Sequence, residues 1–181
     1  QLPADKDPDA ILAVCDTAEG GGDSVMMPIA YIYGDDVFIE DVVFDNSKPE
    51  FTKPQCAKKL FQHKVSVATF ESNNAGTYYS RDVEELLKGL GGKCSIRQKR
   101  TISNKQTRIE MASDGIMKHF WFKDRSLYAP SSQYALMLKE LTTYTRTGKV
   151  PHDDSPDGLA MLENEVRNLA GNSVRIFARP Y

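Results

Sequence analysis

The chain reads as one α/β domain on a mixed central β-sheet: three antiparallel strands first, parallel strands added after them, and helices on the flanks. Three observations predict this. Residues 10–44 hold three consecutive β-rich runs with no helical periodicity among them. From residue 54 onward, helical and strand-like segments alternate. At 181 residues with 40% hydrophobic residues, the chain is long enough for one well-buried domain, expected to span 1–181.

The elements follow in order. Residues 10–16 form an apolar strand that ends at Asp16. It is broken by Glu19-Gly20-Gly21-Gly22-Asp23, a turn that glycine tolerates best. Runs 26–33 and 36–44 are β-rich, and Gly34-Asp35 between them fits a hairpin turn. Segment 54–63 carries Cys56, Leu60 and Phe61 at helical spacing. A strand at 65–70 precedes a helix over 77–90, which has Val83, Leu86, Leu87 and Leu90 on its apolar stripe and stops at Gly91-Gly92. Residues 95–97 read as a further short strand and 97–105, without clean periodicity, as an exposed loop. A helical turn is expected at 107–113 and a strand at 116–122. Residues 131–146 are an amphipathic helix with Tyr134, Leu138, Leu141 and Tyr144 on its apolar side. After Gly148-Lys149-Val150-Pro151, a last helix covers 156–170, with Pro156 near the first turn, where a missing N–H does no harm. Residues 1–8 and 173–181 are expected as tails. This order of elements is that of the ribonuclease H-like fold, an analogy that gives architecture without giving function.

The formal net charge of -2 hides an asymmetry. Residues 1–50 hold twelve Asp/Glu against two lysines, whereas the rest holds thirteen acids against twenty-one Lys/Arg. Within the basic part, Lys93, Arg97, Lys99, Arg100, Lys105 and Arg108 occur with no acid among them. A local basic run on a nearly neutral protein attracts a polyanion without making the whole surface adhesive. Cys15, Cys56 and Cys94 are odd in number and lack Cys-x-x-Cys spacing, which indicates neither a disulfide framework nor a zinc site and favours a reducing compartment. No apolar stretch approaches the ~20 residues that span a bilayer. The start, Gln1-Leu2-Pro3-Ala4-Asp5-Lys6-Asp7, is polar and lacks methionine. It reads as neither a signal peptide nor a natural beginning, so the chain is expected to be a piece of a longer protein.

Three acidic stretches carry the chemistry. Asp16 and Glu71 each follow an apolar strand, and His152-Asp153-Asp154-Ser155-Pro156-Asp157 opens the last helix. An isolated carboxylate is expensive to bury, and several gathered together suit a hard cation that wants oxygen ligands. Each also has a plainer reading. Asp16 suits an Asx turn, Glu71 a cap on the helix that follows, and Asp154 and Asp157 the positive end of their own helix. His152 alone is more often a surface residue, although beside these acids it suits a general base or water-positioning group. Asp23 reads as a turn residue rather than a ligand. The spacing i, i+3 puts Asp154 and Asp157 on one face of the first helical turn. In the ribonuclease H-like fold the ends of the first and fourth strands and the start of the last helix meet. Carboxylates there can hold two Mg²⁺ or Mn²⁺ ions ~4 Å apart for phosphodiester hydrolysis, while the basic segment draws in the phosphate backbone.

Taken in order, Asp16-Thr17-Ala18-Glu19-Gly20-Gly21-Gly22-Asp23, Phe70-Glu71-Ser72-Asn73-Asn74-Ala75-Gly76 and His152-Asp153-Asp154-Ser155-Pro156-Asp157-Gly158-Leu159-Ala160 resemble the C-terminal nuclease domain of tailed-bacteriophage large terminase subunits. Lys105-Gln106-Thr107-Arg108-Ile109 is similar to that family's Lys-x-x-Arg-Ile stretch. The resemblance covers nearly the whole chain. It implies a RuvC-type endonuclease that needs two divalent cations, Mg²⁺ or Mn²⁺, and cuts concatemeric double-stranded DNA for packaging in the cytoplasm of an infected bacterium. It implies Asp16 and Glu71 as ligands, with the rest from the terminal cluster. The pattern Asp-x-x-Asp-Ala-Leu matches Asp154-Ser155-Pro156-Asp157-Gly158-Leu159, with Gly158 in place of alanine, and favours Asp154 and Asp157 over Asp153. It implies a small terminase subunit and a portal protein as partners, and no membrane. No Gly-x-x-x-x-Gly-Lys-Ser/Thr loop occurs, so this chain is expected to lack the packaging ATPase.

Two other readings compete. A Holliday-junction resolvase or transposase has the same fold. A non-catalytic DNA-binding or Ca²⁺-binding module belongs to another class, but the acids lack the Asp-x-Asp-x-Asp-Gly spacing of a calcium loop. Phe120, Trp121 and Phe122 read as core strand rather than as a stacking platform.

Overall fold

The computed structural model describes residues 2–17, 23–72, 76–145 and 152–171. The glycine run 18–22, the lead-in at 73–75, the linker through 151 and the tail at 173–181 lie outside the described residues.

A six-stranded sheet forms the middle layer, in the order β5-β4-β1-β2-β3-β6. Its strands are β1 (Ala10–Cys15), β2 (Val25–Tyr33), β3 (Asp36–Asp45), β4 (Val67–Glu71), β5 (Ser95–Lys99) and β6 (Phe120–Phe122). β2 runs antiparallel to both β1 and β3, while β4 pairs parallel with β1, β5 with β4, and β6 with β3. The expected mixed sheet, three antiparallel strands followed by parallel additions, is present. Gly34 makes the β2–β3 turn at φ +62°, a conformation that side chains other than glycine rarely adopt.

Helices cover both faces, because alternate strand residues are apolar on both sides. On one face Ala13, Cys15, Ala68 and Phe70 meet α1 (Pro49–Gln62) and α2 (Gly76–Gly89) through Cys56, Leu60, Tyr79, Val83 and Leu87. On the other, Leu12, Val14, Met26 and Ile39 meet α4 (Gln133–Thr143) and α5 (Asp154–Gly171) through Tyr134, Met137, Leu159 and Leu162. Tyr134 donates its hydroxyl to the Ile39 carbonyl at 2.6 Å, so its one polar atom is satisfied inside the core. α3 (Lys105–His119) packs on α5 through Ile109, Ala112 and Ala160.

The structure differs from expectation mainly over 97–122. β5 extends to Lys99, so only 100–104 is a connecting loop. Residues 105–119 are one helix, where a turn and then a strand were expected. Asn104 caps that helix by accepting from the Gln106 and Thr107 N–H groups, and Ile109, Ala112 and Ile116 follow helical spacing toward α5. The strand shrinks to Phe120–Phe122. Within it Phe120 is buried, while Trp121 is exposed and stacked on Phe38. Helix α1 also starts earlier than expected, at Pro49, a position where proline fits the first turn. All three cysteines are free, and among the described residues no helix is long and apolar enough to cross a membrane.

Candidate metal centre

Strand register places the first two carboxylates. Cys15 pairs with Phe70 in the parallel β1–β4 ladder, so the next residues, Asp16 and Glu71, stand side by side at the carboxyl ends of strands ~4.8 Å apart. Cys15 and Phe70 face α1 and α2. Alternation therefore turns both Asp16 and Glu71 to the opposite face, toward α5. Asp16 is fixed further by a two-way backbone bridge to Met26, at 2.9 and 3.1 Å.

Helix α5 brings the others. Asp154 and Asp157 lie in its first turn, both buried, at 4% and 0% exposure. The helix start is held by α4: Glu140 accepts the Ser155 N–H at 2.8 Å, and Ser155 Oγ donates to the Met137 carbonyl at 3.0 Å. Ser24, at the entry to β2, donates its N–H to Asp154 Oδ2 at 2.8 Å. Gly158 follows Asp157 and lies against Met26; a Cβ there would stand 2.3 Å from Met26 Cγ. That contact accounts for glycine where the resembled pattern has alanine. Met26 therefore locates both Asp16, through its backbone, and α5, through its side chain. Gly76, opening α2, has the same need, since a Cβ would stand 2.0 Å from the Glu71 carbonyl oxygen.

These acids line one pocket of about 230 Å³, with Thr17, Ser24, Lys105 and Arg108 also in its wall. Arg108 pairs with both oxygens of Asp157 at 2.6 Å, and Lys105 Nζ lies 2.8 Å from Asp153, 3.2 Å from Asp154 and 3.7 Å from Asp157. Burial, then the Asp157 and Glu71 charges, push the Asp16 carboxyl up to about 8 against the pull of Lys105. The pocket holds more carboxyls than its two cationic side chains, Lys105 and Arg108, can neutralise. Burial also raises Asp157, with Arg108 and Lys105 working against the rise. For Lys105 burial opposes the charge, but the Asp153 hydrogen bond and the Asp16, Asp154 and Asp157 charges outweigh it and hold its pKa above the ordinary value.

The donor set, oxygen throughout and short of positive charge, fits hard divalent cations. Among the described residues no three acidic, histidine or cysteine side chains yet converge as an ion's ligand cluster, and the cationic ends of Lys105 and Arg108 lie among the carboxylates instead.

The candidate residues thus separate by place. Asp16, Glu71, Asp154 and Asp157 come together in the pocket. Asp153 is at its rim on Lys105, and His152 is exposed and outside the lining. Asp23, read as a turn residue, also lines the pocket. The basic set divides too: Lys105 and Arg108 point into the acids, Lys99 pairs with Glu165 at 2.6 Å, Arg100 lines a neighbouring cavity, and Lys93 and Arg97 are exposed. Sequence reasoning missed Ser24, Glu140 and Met26, which act through backbone groups or across long sequence separations. Lys105 and Arg108, three residues apart in α3, share one face of that helix.

The family model described as "Terminase Bacteriophage T7, Ribonuclease H-like domain" matches residues 15–120, more than half of the chain. No curated protein sequence matches. Among solved structures, the human cytomegalovirus terminase nuclease domain, soaked with Mn and inhibitor-bound, superposes with a TM-score of 0.62 at 11% identity over 98% of this chain and 91% of that one. The nuclease domain of the large terminase subunit of bacterial virus Sf6 gives 0.59 at 11% over 87% and 89%. The fowlpox virus Holliday junction resolvase gives 0.54 at 13% over 88% and 99%. At these identities the structures establish a shared fold. The family match establishes more: this chain belongs to the ribonuclease H-like domain family of the bacteriophage T7 terminase.

Proposed function

We propose that this domain is a divalent-metal-dependent endonuclease that cuts concatemeric double-stranded viral DNA during genome packaging. The observation that carries the reading is the meeting of Asp16, Glu71, Asp154 and Asp157, from three separate elements, in one pocket that Lys105 and Arg108 only partly neutralise. Asp16, Glu71, Asp154 and Asp157 would hold two cations, Mg²⁺ or Mn²⁺. When bound, the cations supply Lewis-acid charge that activates water and stabilises the leaving oxygen.

The chain's own residues do the rest. The β1–β4 register holds Asp16 and Glu71 side by side. Arg108 fixes the Asp157 carboxylate in one orientation through two parallel hydrogen bonds. Lys105, on a flexible stem, is free to leave its carboxylates as cations arrive and to meet a phosphate oxygen instead. In the net reaction the water oxygen forms a bond to phosphorus and one ester P–O bond breaks, leaving one phosphate end and one hydroxyl end. Arg100, exposed on the loop that lines the pocket, supplies attraction to the DNA backbone, and Lys93 and Arg97, exposed before and along β5, extend that charge away from the pocket. The small terminase subunit and portal protein are partners that this reading carries with it, in the cytoplasm of an infected bacterium.

The test sets linear duplex beside a four-way junction of the same sequence, with Mn²⁺ or EDTA. The proposal expects Mn²⁺-dependent cleavage of the linear duplex at least as fast as of the junction. Cleavage confined to the junction would identify a resolvase, and binding without cleavage a non-catalytic module.

A further inference from the structure

Ile102 is 92% exposed, the most open large apolar side chain among the described residues. It lies at the middle of segment 100–104, which joins β5 to α3. Its neighbours Thr101 and Ser103 line the carboxylate pocket. Both also line a second cavity of about 260 Å³, which Arg100, Ile102 and Asn164 border as well. The segment is therefore a ridge between the two, with Ile102 on its crest.

Both ends of the ridge are fastened. Ser72 donates its N–H to the Lys99 carbonyl at 3.1 Å, and Asn104 caps α3 through the Gln106 and Thr107 N–H groups. A lone exposed isoleucine is ordinary on a protein surface. Here the position gives it meaning, because the segment that carries it is part of the carboxylate pocket's wall and Arg100 stands two residues before it. An aliphatic group adds nothing to phosphate binding, but its chemistry fits sugars and base faces. A β-branched side chain also has few rotamers to lose on insertion.

We propose that Ile102 is a DNA-contacting wedge that enters a groove of the bound duplex and parts a base step beside the phosphate to be cut. Apolar side chains inserted in this way unstack bases and kink the duplex. The kink would bring the backbone of one strand down into the carboxylate pocket. The inference rests on the nuclease reading above.

The test uses the whole chain with a short duplex carrying 2-aminopurine, an adenine analogue whose emission rises when it is unstacked, in Ca²⁺. The wild type should raise emission at least twofold at one position, Ile102→Ala should not, and Ile102→Leu should retain the rise. With Mn²⁺ and plasmid, kcat/KM should fall about fivefold in Ile102→Ala and hold in Ile102→Leu, with no change in melting temperature for either. No emission rise with the wild type, or the same rise or the same kcat/KM in Ile102→Ala, would overturn the proposal. If the wild type fails to cut with Mn²⁺, the nuclease reading falls, and the emission measurement alone decides the role of Ile102.

Discussion

Arg108 grips Asp157 through two parallel hydrogen bonds of 2.6 Å, although the Asp157 carboxylate is wholly buried. Removing one partner of such a pair leaves a buried charge without its compensating hydrogen bonds. Arg108→Gln should therefore cost about 3–5 kcal/mol of folding stability. Arg108→Lys should recover only part, since an ammonium cannot reproduce the planar fork. Urea unfolding of the two variants beside wild type checks this; a loss under about 1 kcal/mol in Arg108→Gln would mean the pair is not held as described.

Lys105 competes with any cation for Asp153, Asp154 and Asp157. Removing the ammonium concentrates negative charge in the pocket, so Lys105→Ala should bind Mn²⁺ about tenfold more tightly, a change of about 1.4 kcal/mol. Calorimetric titration without DNA reads this directly. Weaker binding would make Lys105 a supporter of the metal geometry rather than a placeholder.

Gly158 and Met26 form a contact with no room for a methyl group. Gly158→Ala should destabilise the domain by about 1–3 kcal/mol through overpacking. Pairing it with Met26→Ala should make the two changes less than additive, because the smaller side chain leaves the space the methyl needs. A double-mutant cycle by thermal or urea unfolding measures the coupling, and strict additivity would contradict the contact.

Away from the site, Asp41 ties α1 to the sheet. It accepts from Lys59 at 2.6 Å and lies 3.0 Å from His63 Nε2, whose Nδ1 is 3.0 Å from the Tyr31 hydroxyl. Burial works against its charge, but the His63 and Lys59 hydrogen bonds outweigh it and hold the carboxyl down at about 2, below its ordinary 3.8. A depressed carboxyl contributes stability that is complete above the unfolded value and is lost as pH falls through the folded one. Asp41→Asn should thus cost about 1–2 kcal/mol at pH 7, and the gap to wild type should narrow as pH falls from about 4 to about 2. Unfolding curves at pH 7 and pH 2.5 check the sign.

Much of the fold was legible because strand pairing here follows local pattern. The runs behind Asp16 and Glu71 are apolar on both faces, and Gly34 marks the hairpin as expected. Alternation alone then turns both carboxylates toward α5. Helix α3 was hidden because Gly115 interrupts its pattern and the residues after it, Ile116 to Phe122, are β-prone. A Cβ at 115 would meet the Glu163 carboxylate of α5, which would have to shift to admit it. The basic segment misled for the same reason. Lys105 and Arg108 look like surface charge until α3 is laid on α5, when acids some fifty positions away become their partners.

The central claim is that Asp16 belongs to a catalytic metal site, and one digestion tests it most directly. Supercoiled plasmid is incubated with wild type or Asp16→Ala in Mn²⁺, Mg²⁺, Ca²⁺ or EDTA, with matched melting curves for the two proteins. Wild type should cut with Mn²⁺ or Mg²⁺ and not with EDTA, and Asp16→Ala should lose at least a hundredfold of that rate while staying folded. Undiminished Mn²⁺-dependent cutting by a folded Asp16→Ala protein would contradict the account.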